Sequence, residues 1–518
     1  MAALNKNYDR VKNMDWEPSY IDPAQKFVEP TRFHLPRKAI DPFKTFVREY
    51  FQMEREKDVR HFALLEAASR LQPANPEPRW MEAMKFVLSN LSGAEYAAGR
   101  QMGRMARTVA PTELRQGYMM QSLDEMRHAQ LELSAVRHHM RTWEDPAGYD
   151  IALYGAGTNV GSNAFRAFLE DSMTADPVES SIAIQIFAET ADSNIFFVGM
   201  TSAATKSGDP VLASTLLTIQ SDESRHMANG YATLMTLLGD DRNLPLIQDA
   251  LDKWSWRNHM GFEVPLMLAA DYFTRHKDES GKEMYERWIL EDFYENFYRK
   301  LEKYGIRKPK FMDHILRNIE WASHSAAVYL YGAWGEFYHR YDPPDEREME
   351  WFEKKYPGWY SYYGKFWESY KATTDPSDRR FVLSELGKLP AFCQVCQLPW
   401  IFPRPDASAG SRIWKDGRWI SFCSPGCEWI YDREPEHYAG FKGFYEIYDG
   451  YEFSEVVRDL GYIRSDGKTL IAQPTLATER MWTIDDMKAC DYIVHSPLNT
   501  TPVFSRERAQ ELVPQDQL

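Results

Sequence analysis

Cysteine is scarce in this sequence, and long apolar runs are missing. Only five of the 518 residues are cysteine, and four of them fall within residues 393–427, which fits a metal site in a reducing compartment better than a disulfide framework. No segment reaches the ~18 apolar residues of a membrane span, and the polar residues 1–20 lack the apolar core of a signal peptide. We therefore expect a cytoplasmic protein that does not enter a membrane.

Basic residues are fewer than acidic ones, 61 against 76, so the formal net charge is −15. A nucleic-acid binder would need a basic face to neutralise phosphates, so we expect no nucleic-acid partner. The sequence lacks a Gly-rich flavin or dinucleotide fingerprint and a recognisable nucleophile motif. Aromatic residues are abundant, with 16 Trp and 29 Tyr. One group of aromatics is expected to be buried against other chains: Trp254, Trp256, Trp288, Tyr294, Phe297 and Tyr298.

The sequence pattern changes along the chain and predicts a mainly α-helical protein. Four segments are expected: an N-terminal arm (1–40), a helical domain (41–375), a cysteine-containing β-rich module (376–450) and a C-terminal segment (451–518). Pro/Gly signals separate the long helices of the second segment. Asp176-Pro177 and Asp209-Pro210 are typical helix starts, with Asp as the N-cap and Pro in the first turn.

A short motif occurs twice in the helical segment. Asp124-Glu-Met-Arg-His128 and Asp222-Glu-Ser-Arg-His226 both read Asp-Glu-x-Arg-His. In a helix, Glu125 and His128 leave the same face one turn apart, and Glu223 and His226 repeat this geometry. Both pairs lie on apolar stripes, where carboxylates and imidazoles are costly unless they are paired or bind a metal.

Two further glutamates, Glu95 and Glu189, stand alone on apolar stripes of other predicted helices, and each precedes one of the two motifs. Two Glu-x-x-His pairs plus one Glu from each of two other helices make the carboxylate-bridged di-iron site of ferritin-like four-helix bundles. Mixed carboxylate and imidazole ligands with open positions favour iron. A single Glu-x-x-His is usually a surface pair, but the duplication argues against that alternative. The predicted iron ligands are Glu95, Glu125, His128, Glu189, Glu223 and His226.

The Asp and Arg of each motif suggest a supporting layer around the metals. A ligating His usually donates its other N–H to a carboxylate. We expect Asp124 and Asp222 to serve the His of the opposite half, with Arg127 and Arg225 neutralising them. The alternative is an ordinary surface Asp–Arg pair.

With these residues, the sequence resembles the large subunits of bacterial multicomponent monooxygenases, a family that includes methane, propane, alkene and toluene monooxygenases and phenol hydroxylases. Glu95, the two doublets and Ala188-Glu-Thr-Ala-Asp-Ser-Asn194 carry the resemblance, which covers nearly the whole chain. Leu460–Thr475 and Tyr356-Pro-Gly-Trp359 are similar to the methane and propane enzymes. The resemblance places the iron ligands on the same six residues.

The resemblance also implies functional residues near the metals. Ser193 stands where the family usually has a Thr implicated in oxygen activation, and Asn194 matches a family Asn. Leu91 corresponds to a residue at the pocket mouth, and Phe168 and Phe196 are expected pocket walls. Ala98 and Ser193 suggest room for a molecule larger than methane. For the apolar positions, an ordinary core role is the alternative.

The cysteines occur as two close pairs. The first is a C-x2-C motif, Cys393-Gln-Val-Cys396, and the second is a C-x3-C motif, Cys423-Ser-Pro-Gly-Cys427. Two thiolate pairs at this spacing predict a closed, structural Zn site, and unligated cysteines are the alternative. The module resembles one in phenol hydroxylases and in the propane branch.

The resemblance implies O2-dependent hydroxylation or epoxidation of a small hydrocarbon, with phenol hydroxylation as the alternative. It implies two Fe and one Zn, and electrons that come from NAD(P)H through a separate reductase. Expected partners are a second and perhaps a third hydroxylase subunit in a dimer of heteromers, and a small regulatory protein. A ferritin-like radical-generating or iron-storing protein and a non-catalytic scaffold are the competing classes.

Overall fold

The computed structural model describes residues 29–36, 38–39, 41–42, 45–70, 76–143, 163–328, 342–372, 393–398, 411–440, 448, 450–459, 463, 466–468 and 484–488. The domain boundary expected near residue 375, most of the N-terminal arm, the fifth cysteine (Cys490) and most of Leu460–Thr475 lie outside them. Residues of the arm that are described lie on the body of the chain: the His34 N–H donates to the Asn243 side chain (2.8 Å).

Helices dominate the described chain, and those of its first half build the bundle. They are α1 (Val47–Arg70), α2 (Pro78–Thr108), α3 (Thr112–Thr142), α4 (Asn163–Thr174), α5 (Pro177–Ser181), π1 (Ile182–Ala191), π2 (Asn194–Met200), α6 (Thr201–Lys206) and α7 (Pro210–Leu237). Helix α3 packs along α2 and α7, and α7 also packs on π1. These four elements form the predicted four-helix bundle.

The second half of the helical region packs against this bundle. It comprises a 3-10 turn (Asp241–Asn243), α8 (Leu244–Asn258), π3 (His259–Glu263), α9 (Val264–Tyr272), α10 (Gly281–Met284), π4 (Tyr285–Glu295), α11 (Asn296–Leu301), a 3-10 turn (Glu302–Tyr304), α12 (Met312–Asn318), α13 (Ala322–Val328), α14 (Glu346–Lys355), π5 (Tyr360–Gly364) and α15 (Lys365–Ala372). Helix α8 packs on π1, so this layer covers one side of the bundle.

The predicted helix starts are confirmed. Asp176 accepts the Val178 N–H at the start of α5, and Asp209 accepts the Leu212 N–H at the start of α7. In both helices Pro occupies the first turn, where its missing N–H has no intrahelical partner to lose.

The region after residue 393 is less β-rich than expected. Its described elements are one antiparallel hairpin, β1 (Ser411–Lys415) and β2 (Arg418–Phe422), followed by four short helices. These helices are α16 (Pro425–Arg433), α17 (Pro435–Ala439), α18 (Phe453–Asp459) and α19 (Ile484–Lys488). We call residues 393–398 together with 411–440 the cysteine module.

The expectation that a group of aromatics lies against other chains is wrong for five of its six members. Trp254, Trp256, Tyr294, Phe297 and Tyr298 are buried in the chain's own core, and Trp288 packs partly buried against it. They lie in α8, π4 and α11, which supply large rings to the layer beside the bundle. A helix that is apolar on several faces is buried within its own protein.

Candidate metal centre and cavity

The six predicted iron ligands converge at the centre of the bundle. Glu95 comes from α2, Glu125 and His128 from α3, Glu189 from π1, and Glu223 and His226 from α7. Both imidazoles are buried, with at most 1% of either side chain exposed. The four helices therefore bring four carboxylates and two imidazoles into one cluster.

The carboxylates surround the Nδ1 atom of each imidazole. The Nδ1 of His128 lies 3.2 Å from Glu125, 3.5 Å from Glu223 and 3.7 Å from Glu95. The Nδ1 of His226 lies 3.3 Å from Glu223, 3.4 Å from Glu125 and 3.7 Å from Glu189. Glu125 and Glu223 thus face both imidazoles, whereas Glu95 and Glu189 each face one.

The donor set fits two metal ions. The Nδ1 atoms of His128 and His226 and one oxygen of Glu189 are buried without a hydrogen-bond partner among the described residues. Burial raises the pKa of Glu95 to about 8, against the opposing effect of His128. Burial would lower the pKa of His128, but Asp222, Glu125 and Glu95 raise it well above its usual value. Four carboxylates buried together need a compensating positive charge, and a set of oxygen and imidazole donors suits iron.

The second nitrogen of each imidazole faces an Asp of the opposite half. The Nε2 of His128 lies 3.1 Å from Asp222, and the Nε2 of His226 lies 3.2 Å from Asp124. An N–H on Nε2 donates to the carboxylate and leaves Nδ1 free to bind a metal. The two halves of the site therefore support each other.

Arginines neutralise this pair of aspartates. Arg225 donates to Asp124 (2.8 Å) and Asp222 (2.8 Å), and Arg127 donates to Asp222 (2.7 Å). Both aspartates are fully buried, so a plain surface pair does not describe them.

Helix α1 completes this layer with residues that sequence reasoning missed. The Tyr50 hydroxyl donates to Asp124 (2.8 Å), Lys57 pairs with Asp222, and Glu54 accepts from Arg225 (2.9 Å). The contacts join positions far apart in sequence, so no local motif could indicate them.

Replacing Asp222 by Asn is expected to lower iron affinity 10–100-fold, because the amide no longer supplies the charge that orients the imidazole of His128. The measurement is iron retained during dialysis against a graded chelator. Asp58→Asn is the matched control, because Asp58 also accepts from Arg127 (2.7 Å) but is 35% exposed and does not pair with His128. Equal iron retention by the Asp222→Asn variant and the parent would contradict the role of Asp222.

Two buried glutamines also join the site. Gln121 donates to Glu125 (3.0 Å) and Glu189 (2.6 Å), and Gln185 donates to the Gln121 side-chain carbonyl (2.6 Å). Tyr118 donates in turn to Gln185 (3.0 Å). Each Gln stands four residues before a predicted ligand, a helical spacing that could have indicated this chain of hydrogen bonds.

A cavity of about 200 Å³ opens onto the cluster, and its wall is mostly apolar. Glu95, Glu125, Glu189 and Glu223 form its polar end. Three of the predicted pocket residues, Leu91, Ala98 and Phe196, line it, as does Ser193. Further apolar side chains line it, among them Phe86, Val87, Phe165, Phe262, Leu268 and Phe273.

Two predicted site residues lie elsewhere. Phe168 is fully buried but packs behind the cavity wall, with its ring centroid 5.2 Å from that of Phe262. A Cβ on Gly261 would come within 2.8 Å of Phe168, so the ring is held close to the backbone of π3. Asn194 is exposed and does not line the cavity. Any role for Asn194 stays a prediction.

Ser193 lies between two π-helical segments. Its hydroxyl donates to the Glu189 backbone carbonyl, and the Thr190 hydroxyl donates to the Gln185 carbonyl (2.6 Å). The two side-chain hydroxyls thus donate hydrogen bonds to backbone carbonyls where the α-helix widens into a π-helix. Such π-helical segments are frequent at functional sites. The regular stripe read from the sequence did not predict this widening.

The four module cysteines form a second group that could hold a metal ion. All are buried and free, and their sulfur atoms lie within 4.8 Å of one another, with Cys396 and Cys423 3.4 Å apart. Four sulfurs around a Zn ion at ~2.3 Å would be roughly 3.8 Å apart, so the spacing fits a closed tetrahedral site. The Trp256 indole N–H also points at the Cys427 sulfur (3.2 Å).

Among the described residues, no helix combines the length and apolar character that crossing a membrane requires.

A four-helix bundle that brings together two Glu-x-x-His pairs and two further glutamates defines the class of carboxylate-bridged di-iron proteins. Residues 16–241 match the family described as Methane/Phenol/Alkene Hydroxylase. The chain is 33% identical to the large subunit of the propane 2-monooxygenase hydroxylase component of Gordonia sp., over 95% of this chain and 93% of that one. It is 31% identical to the methane monooxygenase component A alpha chain of Methylococcus capsulatus, over 90% of each.

A solved structure agrees with these relatives. The xenon-pressurised crystal structure of phenol hydroxylase from Pseudomonas sp. OX1 superposes with a TM-score of 0.77 at 28% identity, covering 85% of this chain and 90% of that one. The chain therefore belongs to the family of multicomponent monooxygenase hydroxylase large subunits, on the propane branch, and is an oxidoreductase.

Proposed function

We propose that this chain is the catalytic subunit of a monooxygenase that hydroxylates or epoxidises a short alkane or alkene with O2. The observation that carries the proposal is the apolar cavity that ends on the four glutamates. Such a cavity can hold a molecule that has no polar groups, next to the metals, and it excludes water from them. Glu95, Glu125, His128, Glu189, Glu223 and His226 are the proposed iron ligands.

A di-iron pair, when bound, supplies the redox chemistry that activates O2. One oxygen atom enters the substrate, and the other leaves as water after taking up two electrons and two protons. The chain's own residues hold the ions, orient both imidazoles through Asp124 and Asp222, and surround the substrate with apolar side chains. Ser193 lines the cavity and donates its hydroxyl proton to the Glu189 backbone carbonyl, which supports a role for its Oγ in holding a proton.

The substrate class follows from the cavity wall and the relatives. The wall offers far more apolar than polar surface. The relatives described above include subunits of a propane monooxygenase and of a methane monooxygenase. Phenol hydroxylation is the second candidate, because phenol 2-monooxygenase is 29% identical over 85% of this chain.

We further propose that electrons reach the iron from NAD(P)H through a separate reductase, and that a small regulatory protein and one or two other hydroxylase subunits complete the enzyme as a dimer of heteromers. Exposed Met119, Leu123 and Met126 form an apolar stripe on α3 that suits burial against a second subunit. Four free buried thiols suit a cytoplasmic location and one structural Zn on Cys393, Cys396, Cys423 and Cys427.

The test is metal and product analysis of the purified hydroxylase complex. We expect about two Fe and one Zn per copy of this chain, and reductase-dependent oxidation of propane or propene in preference to toluene and phenol. Iron oxidation without any oxygenated product would support a ferritin-like protein instead. A complex without iron would support a non-catalytic scaffold.

A further inference from the structure

The cysteine module reaches the cavity through one side chain. Leu398, two residues beyond Cys396, lines the cavity together with Ala164, Phe165 and Phe262. It comes from a segment far from the bundle in sequence. The apolar wall therefore includes a residue whose position depends on the fold of the module.

The loop formed by residues 393–398, which contains the first two cysteines, fixes the backbone of Leu398. The Cys393 N–H donates to the Leu398 carbonyl (2.9 Å), and the Gln397 N–H donates to the Cys393 carbonyl (3.0 Å). Gln397 is buried and adopts a left-handed φ of 59°, which turns the chain sharply before Leu398. A non-Gly residue held in that region requires a tightly constrained loop. Metal-bound sulfurs at Cys393 and Cys396 would provide that constraint.

The second pair of cysteines supports the same wall from behind. A Cβ on Gly426 would come within 2.7 Å of the Trp256 ring, so the first turn of α16, which carries Cys427, packs directly on α8. Helix α8 continues into π3, where Gly261 and Phe262 line the cavity. The module therefore contacts the wall at Leu398 and also the helix that precedes Gly261.

We propose that the cysteine module forms one end of the hydrocarbon cavity, and that Leu398 is a specificity-determining residue that limits the length of the hydrocarbon. This inference rests on the proposed function for the identity of the ligand, but not for the existence of the cavity. A shorter side chain at position 398 would extend the cavity, and a larger one would shorten it. One methylene in an apolar pocket changes selectivity by roughly 10–200-fold.

The first test measures the cavity itself and needs no turnover. Crystals of the hydroxylase complex are pressurised with xenon, which binds in apolar cavities. We expect an additional xenon site beside residue 398 in the Leu398→Ala variant, and no such site in the parent or in Leu398→Phe. Leu316→Ala is the matched control, because Leu316 is also a partly buried leucine packed on the same core but does not line the cavity. Identical xenon sites in the Leu398→Ala variant and the parent would overturn the proposal.

The second test measures selectivity as the ratio of kcat/KM for hexane to that for propane. We expect the ratio to rise about 10-fold in Leu398→Ala, to fall in Leu398→Phe and to stay unchanged in Leu316→Ala. A Cys393→Ser/Cys396→Ser variant that loses Zn and keeps iron is expected to move the ratio in the direction of Leu398→Ala. Unchanged ratios in both Leu398 variants would overturn the proposal, whereas a failure of the proposed function would leave the parent unable to oxidise either alkane.

Discussion

Replacing Glu125 by Ala is expected to abolish substrate oxygenation and to lower the iron content from about two per chain to one or less. The two oxygens of Glu125 face different imidazoles, at 3.2 Å from His128 and 3.4 Å from His226. Losing this side chain therefore removes a ligand from both proposed metal positions at once. The measurements are iron per chain and product formed with the reconstituted reductase.

Two further variants separate ligation from folding. Glu125→Gln keeps the size of the side chain but loses its charge, so it is expected to lose iron while keeping the thermal transition of the iron-free parent. Glu113→Ala is the control on the same helix, because Glu113 lies in the first turn of α3, ~18 Å along the helix from Glu125. Full turnover by Glu125→Ala with two Fe retained would show that Glu125 is not a bridging ligand.

Replacing Asp171 by Asn is expected to destabilise attachment of the cysteine module by ~3–5 kcal/mol. Asp171 of α4 accepts from Arg257 (2.9 Å) and from the Tyr438 hydroxyl (2.6 Å), and it lies 2.9 Å from the His437 ring. Burial would raise the pKa of Asp171, but Lys253 and Arg257 hold it well below its usual range. The amide would leave the buried guanidinium of Arg257 without its counter-charge.

The readout is the denaturant dependence of proteolysis within residues 425–440, which reports local opening of the module. Asp249→Asn is the matched control, because Asp249 pairs with Arg433 across the same contact, but the two side chains are 36% and 46% exposed. An exposed pair contributes about 1 kcal/mol or less. Equal proteolysis of both variants would show that the Asp171 cluster does not hold the module in place.

The sequence was sufficient to locate the six candidate ligands, because burying Glu125 or His226 on an apolar stripe needs a compensating partner and the motif occurs twice. Only part of the layer of residues outside the ligands could be predicted from the sequence. Asp124 and Asp222 belong to the motif, whereas Tyr50 and Lys57 come from α1 through contacts that no local spacing encodes.

The other differences have physical causes. Trp254 and Tyr298 were expected at an interface because large aromatics on long helices looked exposed, but a second layer of helices within the chain covers them. Regular 3.6-residue periodicity was assumed for the helix of Glu189, and the π segments that carry it could not be inferred from an apolar stripe. Phe168 was expected in the cavity wall but packs behind it, against the backbone of Gly261, where a side chain would collide with it.

The crossed pairing of His128 with Asp222 and of His226 with Asp124 has a consequence for how the halves of the chain depend on each other. A fragment containing only α2 and α3 would carry a Glu-x-x-His pair, yet its imidazole would lack the carboxylate that orients it. The same holds for π1 with α7. Neither helix pair alone contains both an imidazole and the carboxylate that orients it, so the smallest unit expected to build this centre is two such pairs associated face to face.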